Sequence, residues 1–197
     1  SMRGFAEHLV EEGILQEKWS FLFWARYRDL ATWLKAGEYQ LPAGATMHDL
    51  LQLVTSGKVI DYPVTFIEGW SFKQLRVALS KQKNLRQKIV KLDDQAVMKE
   101  IGAEGVHPEG RCYPDTYHYT ASMSDIDILQ QSYRKMTKIL SKEWENREEG
   151  LPLETKEQAL ILASIIEKET GATEERPLIA GVFVNRLRKG MRLQTDP

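Results

Sequence analysis

The stretch TKEQALILASIIEKETG, residues 155–171, decides most about the fold of this chain. Thr155 and Gln158 have the spacing of a capping box, in which two side chains satisfy free N–H groups at the start of a helix. An apolar run follows them, and Gly171 supplies a stop signal. The pattern therefore predicts a helix over residues 156–170.

Two glutamates near the end of this predicted helix lie on different faces. The residues three, four and seven positions before Glu169 are all large and aliphatic, so Glu169 is expected on the core-facing stripe. Those before Glu167 are smaller and include Ser164. A carboxylate in an apolar stripe is desolvated when ionised, which suits a general acid near neutral pH. The alternative is that Glu169, in the last turn, points to solvent and pairs with Arg176 or another basic residue.

In the rest of the sequence, the patterns predict further helices and few strands. Helices are predicted over 3–12 and 20–34, after the caps Thr46, Ser71, Asp93 or Asp94, and Ser124 or Asp125, and from Pro177 to Gly190. Strands are predicted over 37–41, 59–67 and 191–194, with a Gly/Pro-rich loop at 103–120. The combination predicts an α+β fold, with a small subdomain at 1–61 and a helix-rich domain at 62–197.

Composition excludes several classes of protein. The 197 residues are 42% hydrophobic and 28% charged with a net charge of −1, which is typical of a globular chain and not of a disordered one. The near-zero charge argues against a nucleic-acid binder and gives no reason to expect a polybasic membrane patch. The single cysteine excludes an internal disulfide framework, and no run of about 18 apolar residues exists. Both ends are interpreted as cuts in a longer protein.

Three groups of residues allow both a functional and a structural interpretation. The aromatics Trp19, Phe21, Phe23, Trp24, Tyr27 and Trp33 could bind sugar, but a small subdomain needs such residues for its core, and the core interpretation is favoured. His107, Cys112 and His118 match no standard zinc spacing and are interpreted as a buried thiol beside surface imidazoles.

The loop at 109–120 is the third group. Glu109, Tyr113 and Asp115 place acids and an aromatic ring between turn residues, as carbohydrate sites commonly do. A proline-fixed turn with tyrosines filling the core is the equal alternative.

Several motifs together resemble one known family. The helix ASIIEKET at 163–170, the segment EG at 109–110 followed by YPDT at 113–116, VNRL at 184–187 and LQTDP at 193–197 are similar to the motifs of YceG-like murein transglycosylases. An EG turn at Glu68-Gly69 also falls where that family has one. The resemblance extends from about residue 3 to the end of the chain.

This resemblance implies an activity and a set of site residues. The family cuts the β-1,4 bond between N-acetylmuramic acid and N-acetylglucosamine inside peptidoglycan strands, leaves a 1,6-anhydromuramyl end, and needs no metal or organic cofactor. Its catalytic glutamate, an acid and then a base, corresponds to Glu169. Residues expected to support it or bind substrate are Glu109, Tyr113, Asp115, Ser164, Glu167, Asn185, Gln194 and Asp196.

The resemblance also implies a cellular setting. Residues 1–61 are expected to form a LysM-like peptidoglycan-binding subdomain. A single-pass anchor in the inner membrane, absent from this chain, would hold the catalytic part in the periplasm near the cell-wall synthesis machinery. The family also continues past Pro197 with a segment that completes the catalytic domain, so part of the site is expected to be missing.

Three alternative functions remain open at this point. A non-catalytic peptidoglycan-binding scaffold would need only the LysM-like part. An older label for the family, aminodeoxychorismate lyase, would require pyridoxal phosphate, for which the sequence offers no phosphate-cradling loop. True hydrolysis would release reducing ends.

Overall fold

The computed structural model describes residues 1–30, 32–35 and 37–193. Eight α-helices and a two-stranded sheet occur within those ranges, so the predicted α+β class is confirmed. In chain order they are α1 (Met2–Glu11), α2 (Lys18–Tyr27), α3 (Met47–Ser56), β1 (Tyr62–Thr65), α4 (Phe72–Ser80), α5 (Asp94–Glu100), β2 (Thr116–Tyr119), α6 (Asp125–Glu145), α7 (Lys156–Glu169) and α8 (Arg176–Arg188). Among the described residues, every helix is too short or too polar to span a bilayer.

The chain divides into two compact units. The first combines Ser1–Tyr62 with two later segments, Asn84–Arg86 and His118–Met123, and the second contains the remaining segments. The division falls within both strands, because Tyr62 of β1 and the end of β2 belong to the first unit.

The first unit is a small helical core. Residues from α1, α2 and α3 form one buried cluster: Met2, Ala6, Leu9, Phe21, Ala25, Leu50, Leu51 and Val54. The predicted cap of α3 is confirmed, since the Thr46 hydroxyl accepts from the Asp49 N–H while the Asp49 carboxylate accepts from the Thr46 N–H at 2.9 Å. Gly57 ends that helix in the left-handed conformation, with φ 76°.

The second unit contains α4 to α8. Ser71 and Gln74 form a capping box at the start of α4, and Asp93 caps α5, as their side chains predict. Asp125, the first residue of α6, is fully buried, and its carboxylate accepts N–H groups of Lys88 at 2.9 Å and Ile89 at 3.1 Å. A buried carboxylate of this kind is tolerated because backbone donors surround it.

The two strands pair in opposite directions. The Tyr62 ring lies 5.7 Å from that of Tyr119, and the hydroxyls of Thr65 and Thr116 are 2.9 Å apart. β1 confirms part of the strand predicted at 59–67. β2 was missed, because residues 103–120 were predicted to be loop throughout.

Two further expectations are wrong in their extent. The helix predicted over 20–34 ends at Tyr27, and Asp29 adopts φ 55°, a left-handed conformation that a helix cannot continue through. The strands predicted at 37–41 and 191–194 are not formed at 37–41 or 191–193, and Gln194 lies outside the described residues. Short extended segments need a pairing partner to become strands.

The aromatic residues of the first unit are not mainly core residues, contrary to the favoured interpretation. Phe21 is buried, whereas the others are exposed by between 44% and 71%: Trp19, Phe23, Trp24, Tyr27 and Trp33. The reason is the face that α2 presents to the core. That face consists of Phe21 and Ala25, and the small Ala25 side chain lets the helix approach its neighbours closely.

Candidate active site

A cleft of about 790 Å³ lies in the second unit. Its walls are the turn that leads into α4, the loop before β2 and one face of α7. Of the predicted site residues, four line it: Glu109, Tyr113, Ser164 and Glu167. The EG turn contributes Glu68 and Trp70, so the sequence motifs at 68–70, 109–113 and 163–168 meet in one concavity.

Glu109 is held by a helix start. Its carboxylate oxygen Oε2 accepts the N–H of Phe72, the first residue of α4, at 2.9 Å. That N–H has no partner within the helix, and the positive end of the helix dipole favours a carboxylate there. Gly110 follows with φ 73°, and a β-carbon at this position would lie 3.7 Å from Leu160 of α7. The arrangement brings the loop and α7 close together.

Tyr113 is fixed from three sides. Its N–H donates to the Ser132 carbonyl at 3.2 Å, and its own carbonyl accepts the Tyr117 hydroxyl at 2.7 Å. The Lys135 ammonium lies 5.0 Å from the centre of the Tyr113 ring, within range of a cation–π contact. The backbone of Tyr113 is therefore fixed on both sides, and its ring has a cation beside it.

Asp115 lies outside the cleft lining and is occupied by protein partners. Its carboxylate forms an ion pair with Lys135 and accepts its neighbour Thr116's N–H at 2.8 Å. The hydrogen bond from Lys135, with that of the Thr116 backbone, lowers the pKa of Asp115. The Asp115 carbonyl accepts the Phe66 N–H at 2.9 Å. These contacts suit a residue that positions the loop.

The α7 wall carries Ser164 and Glu167. The Ser164 hydroxyl donates to the Ile161 carbonyl at 2.7 Å, which leaves its oxygen able to accept a further hydrogen bond. Glu167 Oε2 lies 3.0 Å from Nη2 of Arg176. The Arg176 Nε is buried and has no hydrogen-bond partner in the described part of the chain. The alternative interpretation paired Glu169 with Arg176 or another base, but the structure pairs Arg176 with Glu167.

Glu169 does not face the core, so the expectation that it lies on a buried stripe is wrong. It is the last residue of α7 and its side chain is exposed. Along the described ranges its carboxylate makes no hydrogen bond or ion pair. α7 buries Leu162 but leaves Ile165 and Ile166 half-exposed, so the stripe loses its cover towards the helix end. Its predicted catalytic role stays a prediction.

Lys168, between the two glutamates, was not predicted as a site residue. Its ammonium donates to the Gly69 carbonyl at 2.9 Å, which ties the EG turn to the last turn of α7. Gly69 has φ 72° and a β-carbon added there would lie 3.5 Å from the Lys168 ammonium. Both residues belong to motifs that the sequence analysis singled out. The contact joins positions 99 residues apart, so no local sequence pattern indicates it.

The remaining predicted residues lie elsewhere. Asn185 is exposed on α8 and does not line the cleft. Gln194 and Asp196 lie outside the described residues. The structure therefore brings together four of the predicted supporting residues and leaves Asp115 and Asn185 apart from them.

Cys112 lines the cleft as a buried thiol, as expected. Burial raises its pKa to about 11, which keeps it protonated and unreactive at neutral pH. His107 and His118 are exposed. Across residues 1–30, 32–35 and 37–193, no three His, Cys, Asp or Glu side chains are grouped closely enough to hold a metal ion.

Comparison with known proteins finds one family. A family model described as the YceG-like family matches residues 1–197. A Bacillus subtilis protein named endolytic murein transglycosylase is 27% identical over 214 residues, which covers 100% of this chain and 59% of that protein. One of the same name from Streptococcus pneumoniae is 30% identical over 219 residues, covering 95% of this chain and 39% of that protein. The chain thus spans between about two fifths and three fifths of these relatives.

A solved structure is also similar. A YceG-like protein from Listeria monocytogenes, with a crystal structure at 2.6 Å, is 26% identical. The match covers 100% of this chain and 70% of that one, with a TM-score of 0.49.

Proposed function

The chain belongs to the YceG-like family, and on that premise we propose that it is the peptidoglycan-cleaving part of an endolytic murein transglycosylase with Glu169 as its acid and base. The proposed bond is the β-1,4 link between N-acetylmuramic acid and N-acetylglucosamine. The proposed product is a strand with a 1,6-anhydromuramyl end. Neither a metal nor an organic cofactor takes part in the scheme.

The observation that carries this proposal is the difference between the two glutamates of α7. Glu167 has an oxygen 3.0 Å from Arg176, so part of its hydrogen-bonding capacity is already used. Glu169 is exposed and, within the described ranges, has no polar partner. A carboxyl group that transfers a proton to substrate has to be within hydrogen-bond reach of it, and a free side chain meets that requirement more easily.

The proposed reaction begins with bond cleavage. Protonated Glu169 gives its proton to the oxygen that links the two sugars as the bond from that oxygen to the muramyl anomeric carbon breaks. The acetamido oxygen of the same muramyl sugar stabilises the positive charge that develops on this carbon. Substrate assistance of this kind replaces the second carboxylate that most glycoside hydrolases use.

The second step closes the anhydro ring. The ionised Glu169 takes the proton of the muramyl 6-hydroxyl, and that oxygen forms the new bond to the anomeric carbon. The carboxyl group is then protonated again, so the cycle is complete without water. Attack within one sugar ring gains from proximity because both reacting atoms belong to the same molecule.

The cleft residues are proposed to hold the glycan on one side of the reacting bond. Tyr113 and Trp70 provide aromatic faces, and Glu68, Glu109, Ser164 and Glu167 provide hydrogen-bonding oxygens. Because Glu169 follows the cleft-lining residue Lys168 at the end of α7, the scissile bond is proposed to lie at that end of the cleft. Asp115 and Asn185 are proposed as supporting residues.

The proposed setting is the outer side of the bacterial inner membrane. Residues 1–61 are proposed to act as a LysM-like peptidoglycan-binding subdomain and residues 62–197 as the catalytic domain. A single-pass anchor in the whole protein would keep both in the periplasm, where the cell-wall synthesis machinery is the expected partner.

The test is product analysis by mass spectrometry. Purified peptidoglycan is incubated with the full-length protein in its wild-type form and with its Glu169→Gln and Glu167→Gln variants. We expect anhydromuramyl ends from the wild type and from Glu167→Gln at a reduced rate, and none from Glu169→Gln.

Each other outcome would correct a different part of the proposal. Products about 18 Da heavier, with reducing ends, would show that water attacks and that the enzyme is a hydrolase. Loss of products from Glu167→Gln alone would move the acid to Glu167. If neither the full-length wild type nor its variants release products but all retain glycan binding, the protein is a binding scaffold.

A further inference from the structure

The end of α7 is held by side-chain contacts on both sides of Glu169. The Lys168 ammonium donates to the Gly69 carbonyl of the EG turn at 2.9 Å. Thr170, the residue that follows the helix, donates from its hydroxyl to a carboxylate oxygen of Glu175 at 2.7 Å. The two residues that flank Glu169 in the sequence are therefore bonded to different parts of the second unit.

Thr170 is fixed by three hydrogen bonds. Its side chain is buried, and its N–H donates to the Ile166 carbonyl at 3.3 Å, which closes the last turn of α7. Its hydroxyl donates to Glu175 and also accepts the Ala172 N–H at 3.0 Å. Because the hydroxyl acts as donor and acceptor at once, the orientation of the residue is set on both sides.

The backbone gives this end of α7 little support of its own. The last carbonyl groups of a helix have no partner within the helix, and helix ends therefore fray. α3 closes with Gly57 in the left-handed conformation, whereas Thr170 leaves α7 in an extended conformation, with φ −146° and ψ 138°. Side-chain contacts thus take the place of a backbone cap at the end of the helix that carries Glu169.

The Glu169 carboxylate differs from its neighbours in being free. It has no polar partner in the part of the chain that the structure describes, whereas Glu167, two positions earlier, pairs with Arg176 at 3.0 Å. A group that transfers a proton to substrate needs a free carboxyl on a fixed backbone, because a displacement of about 1 Å can lower the rate about 100-fold. The neighbouring contacts fix the backbone without occupying the carboxyl group.

We propose that Lys168 and Thr170 are positioning residues, which hold the end of α7 so that the Glu169 carboxyl group reaches the scissile bond. The inference rests on the proposed function, because it takes Glu169 as the acid and base. Both residues act through the backbone of Glu169. Neither of them takes part in the proton transfers.

A direct contact between Lys168 and the glycan is the alternative, because Lys168 lines the cleft. Its ammonium already donates to the EG turn, and a β-carbon added at Gly69 would lie 3.5 Å from it. A contact with the glycan would strengthen substrate binding, whereas a positioned acid speeds the chemical step. The two roles therefore affect different kinetic constants.

The test uses the full-length protein and isolated glycan strands, with release of anhydromuramyl ends followed by mass spectrometry. Lys168→Met removes the ammonium and keeps a long side chain, and Thr170→Val removes the hydroxyl and keeps the shape. Each should lower kcat about fivefold and leave KM unchanged, because one hydrogen bond of ordinary strength is lost. Lys168→Arg and Thr170→Ser retain a donor and should recover most of kcat.

A second measurement follows the backbone and does not depend on activity. Hydrogen–deuterium exchange of the Thr170 N–H, which donates to Ile166, reports how often the last turn of α7 opens. Exchange should become about fivefold faster in Lys168→Met and remain unchanged in Lys168→Arg. Because Lys168 is exposed, Lys168→Met should fold normally even if the buried Thr170→Val does not, which circular dichroism melting checks.

The matched control is Lys142→Met. Lys142 is also an exposed lysine in the last turn of a helix, α6, and it belongs to the same unit. Its substitution makes the same chemical change away from the cleft lining. It should alter neither kcat nor the exchange of the Thr170 N–H.

Four results would overturn the inference alone. They are an unchanged kcat in Lys168→Met, an equal loss of kcat in Lys142→Met, a raised KM in Lys168→Met, and a lower kcat with unchanged exchange. The third would make Lys168 a glycan contact, and the fourth would mean that it acts on the reacting bond directly. Cleavage by the wild type and its loss in Glu169→Gln would still support the proposed function in each case. A full-length wild type that releases no products would overturn that function and this inference together.

Discussion

The two walls of the cleft use their polar side chains differently. On the loop wall, the Glu109 carboxylate accepts the first N–H of α4, and Asp115, in the same loop but outside the cleft lining, pairs with Lys135. On the α7 wall, Glu167 pairs with Arg176, whereas Glu169, just beyond the cleft lining, has no polar partner along the described ranges. The loop uses the carboxylates of Glu109 and Asp115 to fix its own conformation, whereas α7 leaves the Glu169 carboxylate without such a contact.

This difference separates positioning from chemistry. A loop has no regular hydrogen-bonding pattern, so its conformation depends on side-chain contacts such as these. A helix satisfies its own backbone, so its side chains are available for other tasks. We therefore expect substitutions on the loop wall to change stability and substitutions at the end of α7 to change activity.

The largest effect is expected for Glu169→Gln. Removing a general acid and base should lower the rate of glycan cleavage about 1,000-fold, whereas Glu167→Gln should lower it about tenfold. Because the Glu169 side chain is exposed and has no polar partner in the part of the chain that the structure describes, its substitution should leave the melting temperature unchanged. Rates come from turbidity loss of peptidoglycan suspensions and melting from calorimetry. A large fall in melting temperature for Glu169→Gln would contradict the comparison.

The next effect concerns Cys112 on the loop wall. Burial raises its pKa from 9.0 to about 11, which lowers the thiolate fraction at neutral pH about 100-fold. Iodoacetamide should therefore label the native chain at least that much more slowly than the chain unfolded in urea, as followed by mass spectrometry. Equal rates in the two states would mean that the loop wall opens readily.

A smaller effect is expected for Glu109. Glu109→Ala removes the acceptor for the Phe72 N–H and should destabilise the fold by about 1 kcal/mol, the typical cost of a lost helix cap. Glu109→Gln keeps an acceptor oxygen and serves as the control, with a cost close to zero. Both free energies come from urea unfolding. Equal destabilisation by the two variants would show that the charge matters and the hydrogen bond does not.

The smallest effect is expected for Asp115→Asn and depends on pH. Because Lys135 lowers the folded-state pKa of Asp115, the ionised carboxylate stabilises the fold above its unfolded pKa of about 3.9. That stabilisation is lost as pH falls through the lowered folded pKa. The wild type should melt higher than Asp115→Asn at pH 7 by a few degrees at most, since the pair is exposed, and the gap should close in acid. A gap that is constant with pH would exclude the ion pair as its cause.

The starts of the helices were predictable because they depend on neighbouring residues. Thr46 with Asp49, Ser71 with Gln74, and Asp93 all cap the helices that follow them. Such contacts span three residues and leave a pattern that the sequence displays directly.

What depended on distant residues was not predictable. β2 forms because β1 lies beside it, and the hydroxyls of Thr65 and Thr116 that meet are 51 positions apart in sequence. The exposure of Glu169 and the outward rings of α2 have the same origin. A periodic pattern shows which residues share a face, but the neighbouring elements decide which face is covered.

The cleft itself was predicted in part. Glu109, Tyr113, Ser164 and Glu167 come from separate motifs and do line one surface. Three cations contact residues of those motifs, and their positions in the sequence follow no recognisable pattern: Lys135, Lys168 and Arg176. Their partners are defined only in three dimensions.

The first unit is assembled from three separate pieces of chain, with Asn84–Arg86 and His118–Met123 added to its first 62 residues. The N-terminal segment alone is therefore not a complete domain. A fragment cut after Tyr62 would lose the Tyr119 ring beside Tyr62 and the His118 side chain that pairs with Asp61. Gene fusions that transplant this unit by its N-terminal segment alone would carry an unfinished domain, and recombination during evolution would face the same obstacle.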